Sequence, residues 1–159
     1  MINILQFRIE LIQKCLKPIN LWSPKAEEIL VMTCAQESLG GNFLKQFPTG
    51  PALGIFQIEN NTIDDIWDNY IAYNLSLEDK ILRTIGATKR PPNETIIYNL
   101  WYATLMARIF YLRIKEDIPA VNDVLSLAAY YKKHFNTDKG AATIPEVIAN
   151  YHKFIELQK

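Results

Sequence analysis

Helix start and stop signals recur along this chain, while strand signals are scarce, and that punctuation constrains the fold more than any other feature. Ser23 followed by Pro24 offers an N-cap and a first helical residue, with Glu27 and Glu28 early enough to favour the helix dipole. That helix is expected to run to Ser38, with Gly40-Gly41 supplying a left-handed exit. An earlier helix is expected from Ile2 to Lys17, stopped by Pro18. Thr62 with Asp65 reads as a cap box for a helix through Tyr73, and Ser76 with Asp79 as one for a helix closed by Gly86. Pro91-Pro92-Asn93 leads into a long helix to Lys115, and another spans Asn122 to His134. Thr143 with Glu146 caps the last, with Pro145 in its first turn. These signals predict roughly seven or eight helices. Residues 39 to 61 hold Gly, Pro and short apolar runs without helical period, which reads as a loop with a small hairpin.

At 159 residues the chain is the size of one domain, expected to span residues 1–159. Apolar residues make up 49% and charged residues 21%, a globular rather than a disordered composition. Lys plus Arg and Asp plus Glu each number 17, so no net field draws the chain to nucleic acid. The N-terminus has no basic leader and no long apolar run, so neither a signal peptide nor a membrane span is expected. Cys15 and Cys34 fall on predicted helices without metal-ligand spacing and read as two buried thiols rather than a disulfide. His134 and His152 are too isolated to serve as metal ligands or bases, so no metal and no organic cofactor is expected. Trp22, Trp67, Trp101 and several tyrosines could stack on sugar rings, although helical spacing assigns most aromatics to the core.

Glu37 stands at the end of the second helix, sharing a face with Leu30, Thr33 and Cys34. A carboxyl there is poorly solvated, which raises its pKa and suits a general acid that stays protonated near neutral pH. Downstream stand Gly54-Ile55-Phe56-Gln57-Ile58 and then Thr62, a short turn-bearing tongue. Gly54 permits close backbone approach, and Gln57 can both donate and accept in a polar cleft. Phe56 and Ile58 are expected to pack inward.

Glu37-Ser38, the loop, Gly54 to Ile58 and Thr62 together resemble the soluble lytic transglycosylase and goose-type lysozyme group. The loop between Ser38 and Gly54 is slightly longer here than in the commonest versions. Asn99-Leu100, Tyr111-Leu112 and Leu127-Ala128-Ala129-Tyr130 extend the resemblance more loosely, with Tyr131, Lys132 and Lys133 departing from the family's Asn-Ala-Gly. The resemblance implies a mainly α, lysozyme-like single domain with a small irregular or β-hairpin lobe. It further implies Glu37 as the catalytic acid and Ser38, Gly54, Gln57, Asn99 and a tyrosine, Tyr130 or Tyr131, as substrate-binding residues. The implied substrate and partner is the peptidoglycan glycan strand, cut at the MurNAc–GlcNAc bond. In that group a single glutamate acts as acid and then base, while the sugar's C6 hydroxyl closes an anhydro ring.

A hydrolytic muramidase would need a second carboxylate, for which Glu59, Asp64 and Asp65 stand nearby in sequence. Asp64 and Asp65 also fall where helix capping alone favours acids. A catalytically idle lysozyme-fold component of a phage virion, touching other virion proteins, is the reading from another class. The run Tyr131 to Thr137, with Gly140, is similar to segments of phage-encoded proteins, though its charges also suit a solvated face. Without a leader, carriage to the bacterial cell wall is expected to fall to a phage virion or lysis machinery.

Overall fold

The computed structural model describes residues 1–137 and 140–156. Helices α1 (Ile4–Gln6) and α2 (Lys14–Leu16) flank a π-helical stretch, Phe7–Gln13, and the chain continues as a 3-10 turn, Lys17–Ile19. Then come α3 (Pro24–Ser38), strands β1 (Ala52–Leu53) and β2 (Ile58–Glu59), α4 (Asn60–Asn69) and α5 (Leu75–Ile85). The elements α6 (Thr95–Tyr98), α7 (Leu100–Leu112), α8 (Val124–Tyr131) with a π turn Lys132–Asn136, and α9 (Ile144–Glu156) complete the order. The architecture is mainly helical with one two-stranded sheet, as the punctuation predicts.

Ala26 through Ala35 are buried without interruption, so α3 is wrapped on every side and forms the axis of the core. Its polar members are satisfied. Arg8 donates to both oxygens of Glu28, at 2.8 and 2.9 Å, and to Glu27 at 3.1 Å. Trp22 Nε1 donates to Glu27 at 2.6 Å, and the Tyr151 hydroxyl donates to Glu28. This network ties the N-terminal helix and α9 to α3, and among the described residues no buried side-chain N or O lacks a partner. Cys15 and Cys34 are buried free thiols, as expected, and burial pushes both up to about 12.

The helix ends show where the punctuation misleads. Ser23 caps α3 as expected, accepting from Ala26 N–H at 3.1 Å, and Gly86 closes α5 in the left-handed region. Thr143 and Glu146 bond each other's backbone N–H reciprocally, both at 3.4 Å. At α5 the side chain of Asn74 takes the place of the expected Ser76 cap, while Asn3 caps α1 and Asp123 caps α8. The helix expected from Thr62 through Tyr73 starts two residues earlier, so Thr62 lies inside it, and its α-helical part ends at Asn69, with a 3-10 turn, Ile71–Tyr73, carrying the helical course to the expected end. The α-helix ends at Leu16, within a residue of the stop expected before Pro18, and Pro18 itself sits in a closing 3-10 turn, where a proline gives up no needed N–H. The long helix expected through Lys115 is broken at Asn99, whose extended backbone separates α6 from α7.

Candidate active site

Glu37 lies in the last turn of α3, two residues beyond the wrapped stretch, where the helix emerges beside the small sheet. Leu39 takes the left-handed exit at φ +50°, ahead of the two glycines, and Gly40 N–H returns to the Cys34 carbonyl at 3.0 Å. The chain then runs to β1 and β2, which pair antiparallel with Ala52 opposite Glu59 and Leu53 opposite Ile58. The turn between them, residues 54 to 57, closes with Gln57 N–H donating to the Gly54 carbonyl at 3.0 Å. Ile55 and Phe56 at its tip are completely buried, so the tongue is plugged into the core rather than waving above it.

Two of the expected substrate-binding residues serve that plug. Ser38 is fully buried; its hydroxyl donates to the Ile55 carbonyl at 2.6 Å and accepts from Gly41 N–H at 2.9 Å. With both lone-pair and proton capacity committed, its hydroxyl holds the tongue. Gly54 has φ +71°, and a Cβ there would lie 2.7 Å from the Ile96 carbonyl oxygen. The absence of a side chain lets the tongue seat against α6.

Gln57 does line the cleft. Its backbone is left-handed at φ +48°, uncommon without glycine, and its Nε2 folds back on the Gly54 carbonyl at 2.6 Å. That leaves the amide oxygen for a ligand. The cleft, about 340 Å³, is bounded on the tongue side by Gln46, Gln57, Glu59 and Thr62, and across from them by Phe110, Phe135 and Asn136, with Glu37 in the wall. Its volume suits a small-ligand site.

The tyrosine that meets the acid is Tyr131, which donates its hydroxyl proton to Glu37 Oε1. Tyr130, the residue in register with the family pattern, points elsewhere and donates to the Glu116 carbonyl at 3.0 Å. One residue along an α-helix is a rotation of about 100°, so only one of two adjacent tyrosines can face α3. The Asn99 side chain lies away from this cleft and caps α7, accepting from Tyr102 N–H at 3.0 Å. It borders a different, apolar cavity of about 510 Å³ between the N-terminal helix and the α6–α7 elbow.

Burial pushes the Glu37 carboxyl up to about 7, and the hydrogen bond from Tyr131 restrains the rise. Beneath it, Thr33 Oγ1 donates to the Ile29 carbonyl at 2.7 Å, so the Tyr111 hydroxyl at 2.7 Å is the donor to Thr33. Tyr111 therefore spends its proton away from the acid. Asp64 and Asp65 are not capping acids, since α4 begins at Asn60. Asp64 pairs with Arg90 and accepts from Asn93 at 2.8 Å; Asp65 accepts from Asn69 at 2.8 Å and pairs with Arg113. Those bonds from Asn69 and Arg113 hold Asp65 below its ordinary value. Of the three acids set out as second carboxylates, Glu59 alone shares the cleft with Glu37.

Sequence reading missed Asn136, Gln46 and Phe110 as cleft residues. The segment from Tyr131 divides in two: Lys133 and His134 face outward onto Glu116, while Lys132 and Asn136 turn to the cleft wall. Among the described residues no three His, Cys, Asp or Glu side chains gather as a metal site, and no helix is long and apolar enough to cross a membrane. The chain matches no protein-family model, no curated protein and no solved structure.

Proposed function

We propose that this protein cleaves the MurNAc–GlcNAc bond of peptidoglycan as a lysozyme-like lytic transglycosylase, with Glu37 as its acid and base. The observation that carries the reading is a desolvated carboxyl, raised to about 7, held by a tyrosine in a polar cleft. Such a group still carries its proton at neutral pH, gives it to the leaving glycosidic oxygen, and then accepts one from the attacking hydroxyl. Gln57, with its amide oxygen open to the cleft, would orient the sugar. The ordered pairing of Glu37-Ser38 with Gly54 to Ile58 supports the same reading, with Ser38 and Gly54 acting through the tongue. Delivery to the cell wall by a phage virion or lysis machinery belongs to this proposal.

A second reading, hydrolysis by a muramidase, is favoured by Glu59, which lines the cleft as a second carboxylate while arginines occupy Asp64 and Asp65. Digestion of purified peptidoglycan followed by mass spectrometry separates the two. Anhydro-muramic ends, one water lighter than reducing ends, are expected, with Glu59→Gln retaining activity. Reducing ends that vanish in a folded Glu59→Gln variant would make the protein a muramidase. Glycan binding without either product would leave a virion component that recognises the wall without cutting it.

A further inference from the structure

Phe110 and Phe135 are two half-buried rings in the cleft wall that the acid–base chemistry of Glu37 does not use. Phe135 lies four residues after Tyr131, so the two project from the same side of the chain, and their rings stack with centroids 5.8 Å apart at 21°. It also lies nearly parallel to the buried Tyr111, with centroids 5.7 Å apart at 25°. Phe110 meets Phe135 edge to face at 4.9 Å and Tyr111 at 5.4 Å. The Arg113 guanidinium carbon stands over the Phe110 ring, 5.4 Å from its centroid. Packing on these sides fixes both rings, and the carbon surface they keep lines the cleft.

The tongue wall is different in kind. Gln57 commits its Nε2 to the Gly54 carbonyl and keeps its amide oxygen. Gln46 does the reverse, since its Oε1 accepts from Ala52 N–H at 3.4 Å and its NH2 group remains to donate. Thr62 adds a hydroxyl on the same side. A cleft with carbon on one wall and hydrogen-bonding groups on the other matches a pyranose with equatorial substituents. Its C–H bonds point above and below the ring, while its hydroxyl and N-acetyl groups radiate from the rim. A ligand that is apolar throughout would leave Gln46, Gln57 and Thr62 stripped of water and unpaired.

We propose that Phe110 and Phe135 are substrate-binding residues: they take the C–H face of an N-acetylhexosamine ring whose polar rim meets the tongue. The inference rests on the proposed function, because the sugar it places belongs to the glycan strand presented to Glu37. Both rings are held before the ligand arrives, so little side-chain freedom is lost on binding. Neither moves a proton, and their contribution is to affinity and to keeping the sugar beside the acid.

Calorimetric titration of folded Glu37→Gln protein, which holds sugar without cutting it, with a β-1,4-linked N-acetylglucosamine tetrasaccharide tests the subsite. In that background Phe135→Leu should weaken the affinity about tenfold and Phe110→Leu about fivefold. Phe135→Tyr keeps a ring and should stay within about twofold of its parent. Tyr98→Ala is the control: Tyr98 borders the separate apolar cavity by the N-terminal helix, and its loss should leave binding in place. Because Phe135 stacks on Tyr131, the Glu37 midpoint of Phe135→Leu with Glu37 intact is read by carboxyl-carbon NMR, and it should move by less than about 0.3 pH unit. Undiminished affinity in both leucine variants, no measurable binding of the tetrasaccharide, or an equal loss in Tyr98→Ala would overturn the proposal. So would a loss in Phe135→Leu accompanied by a large shift of the Glu37 midpoint, which would make Phe135 a brace for Tyr131. Digestion by the wild type reads the proposed function separately. Ring-dependent binding in a protein that cuts no glycan would refute the function and keep the subsite, while cleavage with ring-independent binding would do the opposite.

Discussion

Glu37 and Asp65 are both helical carboxylates with a hydrogen-bonding partner from a distant helix, yet their environments push them in opposite directions. Glu37 sits where α3 leaves the core, so its ionised form loses water, and its partner is the neutral phenol of Tyr131. Asp65 keeps 46% of its side-chain surface exposed and is held by Asn69 and the Arg113 guanidinium. Desolvation dominates at the first, charge-stabilising bonds at the second. Two carboxyls of one chain thus acquire different chemistry, and only the buried one holds a proton where acid catalysis at neutral pH needs it.

The sharpest way to break the contrast is to remove the proton from one member. Glu37→Gln keeps the shape and cannot cycle a proton, so glycan cleavage should fall by at least about 10²–10⁴-fold in a folded protein. For the wild type, activity should decline as pH rises through about 7, where Glu37 loses its proton. Zymograms on purified cell wall, with circular dichroism to verify folding, measure the first effect. Undiminished cleavage by folded Glu37→Gln would remove Glu37 from the mechanism.

The same substitution should stabilise the protein, but only at higher pH. A carboxyl near 4.5 in the unfolded chain and about 7 in the folded one makes its full favourable contribution below pH about 4.5. That contribution is lost as pH rises through about 7, amounting to up to about 3 kcal/mol. Urea unfolding of wild type and Glu37→Gln should therefore give a small gap at pH 4 that widens in favour of the variant toward pH 8. A gap independent of pH would mean that solvent reaches the carboxyl freely.

The tongue side of the cleft was far more legible in the sequence than the opposite wall. Glu37, Gly54 and Gln57 lie within about twenty residues, and local signals such as the Ser23 cap and a glycine suited to close approach fix most of that geometry. Even there, the roles of Ser38 and Gly54 were obscured, because a bond to Ile55 and contact with Ile96 depend on packing. The far wall hinges on rotation about α8, where Tyr130 and Tyr131 are equally plausible by order alone. Its π turn has no sequence signal comparable to a cap. Arg90 and Arg113, which remove Asp64 and Asp65 from the cleft, reach them across 26 and 48 residues. No local pattern records such pairs.

A substitution beneath the tongue sharpens the comparison by disturbing the acid's surroundings without touching it. Gly54→Ala must place a Cβ 2.7 Å from the Ile96 carbonyl while holding φ +71°. Backbone strain and overlap together should cost about 2 kcal/mol in chemical denaturation. If the tongue shifts to relieve them, water reaches Glu37 and its midpoint falls toward the ordinary carboxylate value. An unchanged stability would show that α6 yields easily and that the tongue is not seated as tightly as Ile55 and Phe56 suggest.

The smallest effect belongs to the exposed partner in the comparison. Asp65→Asn removes the charge facing Arg113 while keeping a side chain able to hydrogen-bond. Exposed ion pairs gain little over water, so the loss should be under about 1 kcal/mol and should shrink further in high salt. Because Asp65 is engaged outside the cleft, peptidoglycan cleavage should stay within about twofold of wild type, a change of under about half a kcal/mol in the barrier. Parallel denaturation curves at low and high salt, with a digestion assay on the same samples, test both halves. A large loss of cleavage in stable Asp65→Asn would move the second carboxylate to α4 and revive hydrolysis through Asp65. A near-neutral result leaves Glu59 as the acid whose substitution still discriminates the two routes.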